Sequence, residues 1–171
     1  MLYFTEYLSS LGKLTIASDG KNLIGLWIEG QKYFFASLSG KPERKDDLEI
    51  FRMAKKWLDR YFAGEKPLPY ELPLAPCGSP FRQAIWKYLC EIPYGEVVTY
   101  GALAEKAAAL FGRKSMSAQA VGGAVGHNPI SVIIPCHRVI GANGNLTGYA
   151  GGIERKIRLL KLEGVDMKSI F

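Results

Sequence analysis

The chain has 171 residues, 48% of them hydrophobic, and a formal net charge of +6, which is enough apolar material for one ordinary domain or two small ones and excludes a disordered chain. No apolar run approaches the ~20 residues of a membrane-spanning helix, and residues 1–10 lack the basic start of a secretory leader, so a cytoplasmic protein with no membrane partner is expected. Three cysteines, an odd number, argue against a secreted disulfide framework.

Residues 1–10 read as the start of a strand. Lys13-Leu14-Thr15-Ile16 alternates with period two, Asp19-Gly20 supplies a turn, and residues 23–28 form a short apolar run closed by Gly30. The pattern predicts an antiparallel meander. Asp46 or Asp47 is placed to cap a helix in which Leu48, Phe51, Ala54, Leu58 and Tyr61 recur every three or four residues and Gly64 ends the run. Four prolines between residues 67 and 76 resist helix and central strand alike. They predict a linker, with an α/β domain over 1–75 and a second domain over 76–171.

The second half predicts short helices. Ser79 caps and Pro80 starts the first, with Phe81, Ile85 and Tyr88 inward. Thr99 caps a second from Tyr100 to about Leu110, and Ser117 opens a third that stops by Asn128-Pro129. Two short helices joined by a glycine-containing loop suggest a helix-turn-helix in a mostly α domain. Val132-Ile133-Ile134 predicts a buried strand running into Pro135-Cys136-His137-Arg138, and Asn143-Gly144 predicts a turn. A last helix from about Gly152 to Leu162 should turn Ile153, Ile157 and Leu160 inward and stop at Gly164. Residues 1–75 hold 11 Lys and Arg against 10 Asp and Glu, while residues 76–171 hold 11 against 6. The basic excess therefore lies in the half that suits a polyanionic partner.

Cys136 is the residue best placed for chemistry. A thiol must become a thiolate before it attacks carbon, and a neighbouring imidazole can take its proton, directly or through one water. On an extended segment Cys136 and His137 would point to opposite faces. A structural zinc would want paired ligands, whereas Cys77, Cys90 and Cys136 are far apart and the histidines are His127 and His137. A cysteine hydrolase using Asn128 and His137 is possible on paper, but no hydrolase signature is present. Gly122-Gly123 inside a predicted helix costs about 1 kcal/mol per glycine relative to Ala, which points to a close approach by another helix or a DNA backbone.

In order and spacing, these pieces resemble the O6-alkylguanine-DNA alkyltransferases. The carrying segments are Ile92-Pro93-Tyr94-Gly95-Glu96-Val97-Val98-Thr99-Tyr100, Ala120-Val121-Gly122-Gly123-Ala124, Asn128-Pro129, Ile133-Ile134-Pro135-Cys136-His137-Arg138-Val139, Gly148-Tyr149-Ala150-Gly151-Gly152 and Leu162-Glu163-Gly164. The resemblance implies a ribonuclease-H-like α/β domain followed by a winged-helix-like domain. It also implies a single-turnover repair reaction. The O6-alkyl group of guanine in duplex DNA, mainly methyl, moves to Cys136 without a cofactor or metal, with O4-methylthymine as a further substrate and the protein acting as a monomer. His137 would be the water-linked base and Glu163 its orienting carboxylate. Asn128 would tie the active-site turn, and the Tyr100 phenol would hydrogen-bond the extruded base. Val139, Tyr149 and Ala150 would wall the pocket, with Ser131 and Thr147 beside the substrate. Gln119, Ala120, Gly122 and Arg138 would meet substrate or DNA. Gln119 stands where the family usually has Arg, and the loop between Tyr100 and Gln119 is longer than usual. A DNA-binding relative without chemistry would lack Cys136, a thiol hydrolase would turn over repeatedly, and a helix-turn-helix regulator would do neither.

Overall fold

The computed structural model describes residues 1–146 and 148–169. The chain divides into two compact units, Met1–Cys77 with Pro129–Ile133, and Gly78–Asn128 with the chain from Ile134 onward. The second stretch is thus interrupted by five residues that belong with the first.

Unit 1 opens with the expected meander: β1 (Tyr3–Ser9), β2 (Gly12–Ser18) and β3 (Leu23–Ile28) pair antiparallel in order. A short β4 (Glu43–Arg44), not anticipated, adds to β1 in parallel and completes the order β3-β2-β1-β4. Helix α1 (Glu49–Phe62) lays Phe51, Ala54, Trp57, Leu58 and Tyr61 against the sheet as its amphipathic spacing requires. The expected Asp cap is absent. Leu48 is the N-cap, and Asp46 instead accepts the Thr5 hydroxyl at 2.6 Å and the Arg44 guanidinium. Gly64 ends the helix region with φ +82°.

The proline-rich stretch is more than a linker. The Leu23 amide donates to the Pro73 carbonyl and the Ala75 amide to the Leu23 carbonyl, each at 2.8 Å. Proline has no amide to lend, so Pro73 takes part as an acceptor only. The inserted residues Pro129–Ile133 pair with the same strand. The Leu26 amide donates to the Pro129 carbonyl at 2.8 Å, and the Ser131 amide to the Leu26 carbonyl at 2.9 Å.

Unit 2 holds α2 (Pro80–Cys90), β5 (Val98–Thr99), α3 (Tyr100–Leu110), α4 (Ala118–Gly126), β6 (Val139–Ile140) and α5 (Ile153–Leu162). Ser79, Thr99 and Ser117 cap α2, α3 and α4 as expected, accepting from the amides of Arg82, Ala102 and Ala120. Two inward stripes differ from expectation. On α2 the buried residues are Ile85, Trp86 and Leu89. Trp86 turns in because its Nε1 donates to the Ala124 carbonyl at 2.8 Å, leaving Phe81 and Tyr88 half-buried. On α5 the buried residues are Lys156, Leu159 and Leu160, while Ile153 is exposed. Asn143 and Gly144 take consecutive left-handed conformations, φ 61° and 80°, making the expected turn.

Candidate active site around Cys136

The predicted strand over 132–134 does not form. Val132 adopts φ 70°, and the Ile133 amide closes on the Ser131 carbonyl at 2.8 Å. The segment is buried, as its apolar run requires, but it turns instead of extending. Pro135 follows, and Cys136–Arg138 close one 3-10 turn, with the Arg138 amide on the Pro135 carbonyl at 3.0 Å. A 3-10 turn sends successive side chains out roughly 120° apart. Cys136, His137 and Arg138 therefore point three ways, not alternately up and down.

Two further elements frame the turn. Val139 and Ile140 pair in parallel with Val98 and Thr99. Thr99 ends that strand and caps α3, so Tyr100 starts a helix directly beside the turn. Its hydroxyl oxygen lies 3.3 Å from where a Cβ on Gly148 would stand, so Gly148 (φ +86°) must stay bare. Burial raises the Tyr100 phenol above its ordinary range, and the charge of a Cys136 thiolate raises it further. From the other side Asn128, just beyond α4, donates Nδ2 to the Ile134 carbonyl at 2.8 Å and hydrogen-bonds the Cys136 sulfur.

The sulfur sits in a buried, contested environment. Cys136 is 5% exposed, and burial pushes its thiol up. The Asn128 side chain, the Lys156 ammonium and the amides of Cys136 and His137 work against that without overcoming it. The resting group is therefore a thiol. Burial likewise pulls His137 down, against the opposing pull of Glu163, which leaves a neutral ring. Its Nε2 meets Glu163 Oε2 at 2.6 Å, both side chains fully buried. Its Nδ1 is buried with no hydrogen-bond partner among the described residues.

Glu163 carries the electrostatics of the site. Burial works to raise its carboxyl, but His137 and Arg138 together hold it well below the usual carboxylate range. Arg138 Nε donates to Oε1 at 2.7 Å and Arg138 Nη2 to Oε2 at 3.1 Å, while Nη1 reaches the Ile92 carbonyl at 2.6 Å. Arg138 was expected to meet substrate or DNA. Its guanidinium is buried and committed to Glu163, because a carboxylate this deep needs a bidentate partner. Tyr94 and Gly95, to which the sequence assigned no role, complete the surroundings. The Gly95 amide donates to Glu163 Oε1 at 3.3 Å, the Tyr94 hydroxyl to the Leu162 carbonyl at 3.2 Å, and Arg138 lies over the Tyr94 ring. Gly95 has φ +84°, and a Cβ there would stand 3.0 Å from the Glu163 carbonyl oxygen, so glycine is demanded twice over.

Lys156 was missed. It is fully buried, its Nζ donates to the Val139 carbonyl, and burial pulls its ammonium down to about 8 against the opposing influence of Cys136. A signal existed. Lys156, Leu159, Leu160 and Glu163 follow the i, i+3, i+4, i+7 pattern of one helix face, so an inward Glu163 implies an inward Lys156.

The remaining expected residues lie on several elements. Val139 and Tyr149 are buried, and Ala150 is half-buried. Gln119 and Ala120 are exposed on α4 and Gly122 is half-buried, with open space where its Cβ would be. Ser131 belongs to unit 1, where its hydroxyl donates to Gln31 Oε1 at 3.0 Å. Thr147 lies outside the described residues.

Comparison with known proteins places both units. Residues 2–76 match the family model for the 6-O-methylguanine DNA methyltransferase ribonuclease-like domain, and residues 80–165 match that for its DNA binding domain. A Haemophilus influenzae methylated-DNA–protein-cysteine methyltransferase is 43% identical over 96% of this chain and 87% of its own length. One from Methanosarcina acetivorans is 44% identical over 95% and 99%. The crystal structure of Mycobacterium tuberculosis OGT in complex with DNA superposes with a TM-score of 0.80 at 38% identity, covering 99% of each chain.

Proposed function

The chain belongs to the 6-O-methylguanine DNA methyltransferase family, and from that premise we propose that Cys136 is the residue onto which it draws the O6-alkyl group of guanine in DNA. The observation that carries this reading is the convergence of Cys136, Asn128 and the buried His137–Glu163 pair on one turn of the matched DNA binding domain.

The resting thiol gives its proton to His137 Nδ1, directly or through one water, and Glu163 stabilises the imidazolium that results. Asn128, the local amides and Lys156 favour the thiolate as it forms. The thiolate then attacks the alkyl carbon in line. An S–C bond forms as the C–O6 bond breaks, and the bonding pair leaves with guanine. Tyr100, its phenol held protonated by burial, donates a hydrogen bond to the departing base, so the leaving group departs closer to neutral. The transfer is redox-neutral and consumes its own acceptor. A thioether does not revert, so each molecule acts once and needs no cofactor. The target atom lies within a duplex, so the nucleotide must first be extruded at a cost of a few kcal/mol. Alkylated guanine in duplex DNA is then the specific substrate, and one monomer suffices for one lesion.

Intact-mass measurement after incubation with O6-methylguanine duplex tests this. One added methyl group, mapped to Cys136, is expected. Cys136→Ala should gain no mass and retain DNA affinity, since phosphate contacts dominate binding. Methyl transfer by that variant, or a methyl group on Cys77 or Cys90, would overturn the assignment.

A further inference from the structure

Where α2 begins, α3 ends and α4 begins, unit 2 leaves a cavity of about 410 Å³, within the ~300–1,000 Å³ range of small-molecule sites. Its walls are Pro80, Phe81, Phe111, Met116 and Ala120, with Arg113 beside them. The rings of Phe81 and Phe111 lie 5.9 Å apart and inclined at 48°. Phe111 is 41% exposed, so a large aromatic face stays open to the cavity and to solvent.

Two further observations say what would enter. Arg113 and Lys114 stand together in the loop between α3 and α4, and neither side chain makes an ion pair among the described residues. Alongside runs the open face of α4. Gln119, Gly122, Gly123 and Gly126 recur at i, i+3, i+4 and i+7, and at the three glycines nothing lies within 4 Å of a built Cβ. A face this smooth lets a polymer backbone approach closely, and it lies inside the segment matched to the DNA binding domain. Ala120, the residue after Gln119 and about 100° from it around the helix, lines the cavity, so the cavity lies beside that surface. Aromatic walls with a cation at the mouth suit a base and its phosphate, the arrangement by which single-stranded nucleotides are held.

We propose that this cavity is a second nucleotide site: a base of the bound DNA other than the alkylated guanine lodges against Phe81 and Phe111, and its phosphate sits on Arg113 and Lys114. The inference rests on the DNA-repair reading above and adds a contact outside the reacting pocket. It also gives the longer loop a task. Gln119 offers no charge to the opened duplex, and Arg113 and Lys114, six and five residues before it on the chain, supply that charge instead.

The test uses the full chain and O6-methylguanine duplexes carrying 2-aminopurine at each position flanking the lesion in turn. One position should change emission on binding, and Phe111→Ala should abolish that change and weaken binding on the order of 10-fold. Arg113→Gln and Lys114→Gln, on an exposed loop where folding is not at risk, should each flatten the slope of log affinity against log salt by about 0.9. Absence of any Phe111-dependent emission, or unchanged salt slopes, overturns the proposal. So does DNA-free self-association lost in Phe111→Ala, which would make the cavity a contact between copies. Methyl transfer to Cys136, read by mass in the same parent samples, separates the failures: transfer without the emission signal removes the cavity site alone, and no transfer removes the function.

Discussion

The turn around Cys136 and the open face of α4 lie in the same unit and are built in opposite ways. At the turn, nearly every polar atom is committed: Asn128 to Ile134, His137 to Glu163, Arg138 to Glu163 and Ile92, Lys156 to Val139. On α4, Gln119 and three glycines present little beyond backbone. The first arrangement trades solvation for geometry. Burying charge is tolerable only where each charge is matched, and the result is a site that substitution breaks outright. The second keeps its polar groups in water and its surface smooth, so substitution there should have graded effects.

The sharpest way to break this contrast is Glu163→Gln. It leaves Arg138 buried against a neutral amide, and losing one partner of a buried pair costs about 3–5 kcal/mol. Urea unfolding should show a loss of that size, and alkylation should slow on the order of 100-fold as His137 loses its orienting acceptor. The pH dependence has a definite sign. Because the folded carboxyl lies below its ordinary range, its contribution is full above the unfolded value of about 4.3 and drains away as pH falls below it. The variant should lack this component of acid destabilisation. Unaltered stability and rate would mean the network is incidental.

Lys156→Met should act less strongly. With its charge gone, the thiolate loses one of the groups favouring it, so the pH at which alkylation accelerates should move upward and the rate at neutral pH should fall on the order of 10-fold. The folded ammonium titrates near 8 and the unfolded one near about 10.4. Between those values the unfolded chain binds more protons, so Lys156 makes the parent gain stability as pH rises through that window. The difference in stability between parent and Lys156→Met should follow that rise. An identical pH–rate profile in the variant would remove Lys156 from the chemistry.

The smallest effect is expected on the open face. Gln119→Arg should raise the rate on duplex O6-methylguanine, relative to the rate on the free base, by less than about 10-fold, through a longer and charged side chain beside the opened base pair. An equal change on both substrates would show that Gln119 does not contact the duplex.

What could be read in advance follows the same division. The meander, α1, the three capped helices and the Asn143-Gly144 turn depend on neighbours in sequence, and local patterning was enough to find them. Cys136 and His137 stood out from the residues themselves, and Asn128, Glu163 and Tyr100 were singled out through resemblance, but the geometry that joins them was not readable. The Ser131–Ile133 turn ahead of Cys136 has φ 70° at Val132, a conformation that a β-branched residue disfavours and that no local pattern announces. Arg138 was expected to meet substrate or DNA, and the buried carboxylate that holds it lies 25 residues ahead, beyond the reach of local pattern. Lys156 was passed over because lysine is rarely buried, although its helical phase with Glu163 marks it as inward. β4 and the pairing of Val98–Thr99 with Val139–Ile140 are two-residue contacts, too short to leave a periodic signal.

The five residues Pro129–Ile133 bear on how the molecule comes to be. The chain leaves unit 2 after Asn128, joins β3 of unit 1, and returns at Ile134 two residues before Cys136. The Ser131–Gln31 contact joins positions 100 apart, a closure whose entropic cost falls due before its contacts can repay it. During synthesis, the first 77 residues can complete their meander and helix while β3 still lacks this neighbour. The segment that supplies this neighbour emerges far later, directly before the turn that carries Cys136. No single cut of the chain yields unit 2 with its own residues alone, and a fragment beginning at Gly78 would carry Pro129, Ile130 and Ser131 without the strand they pair with.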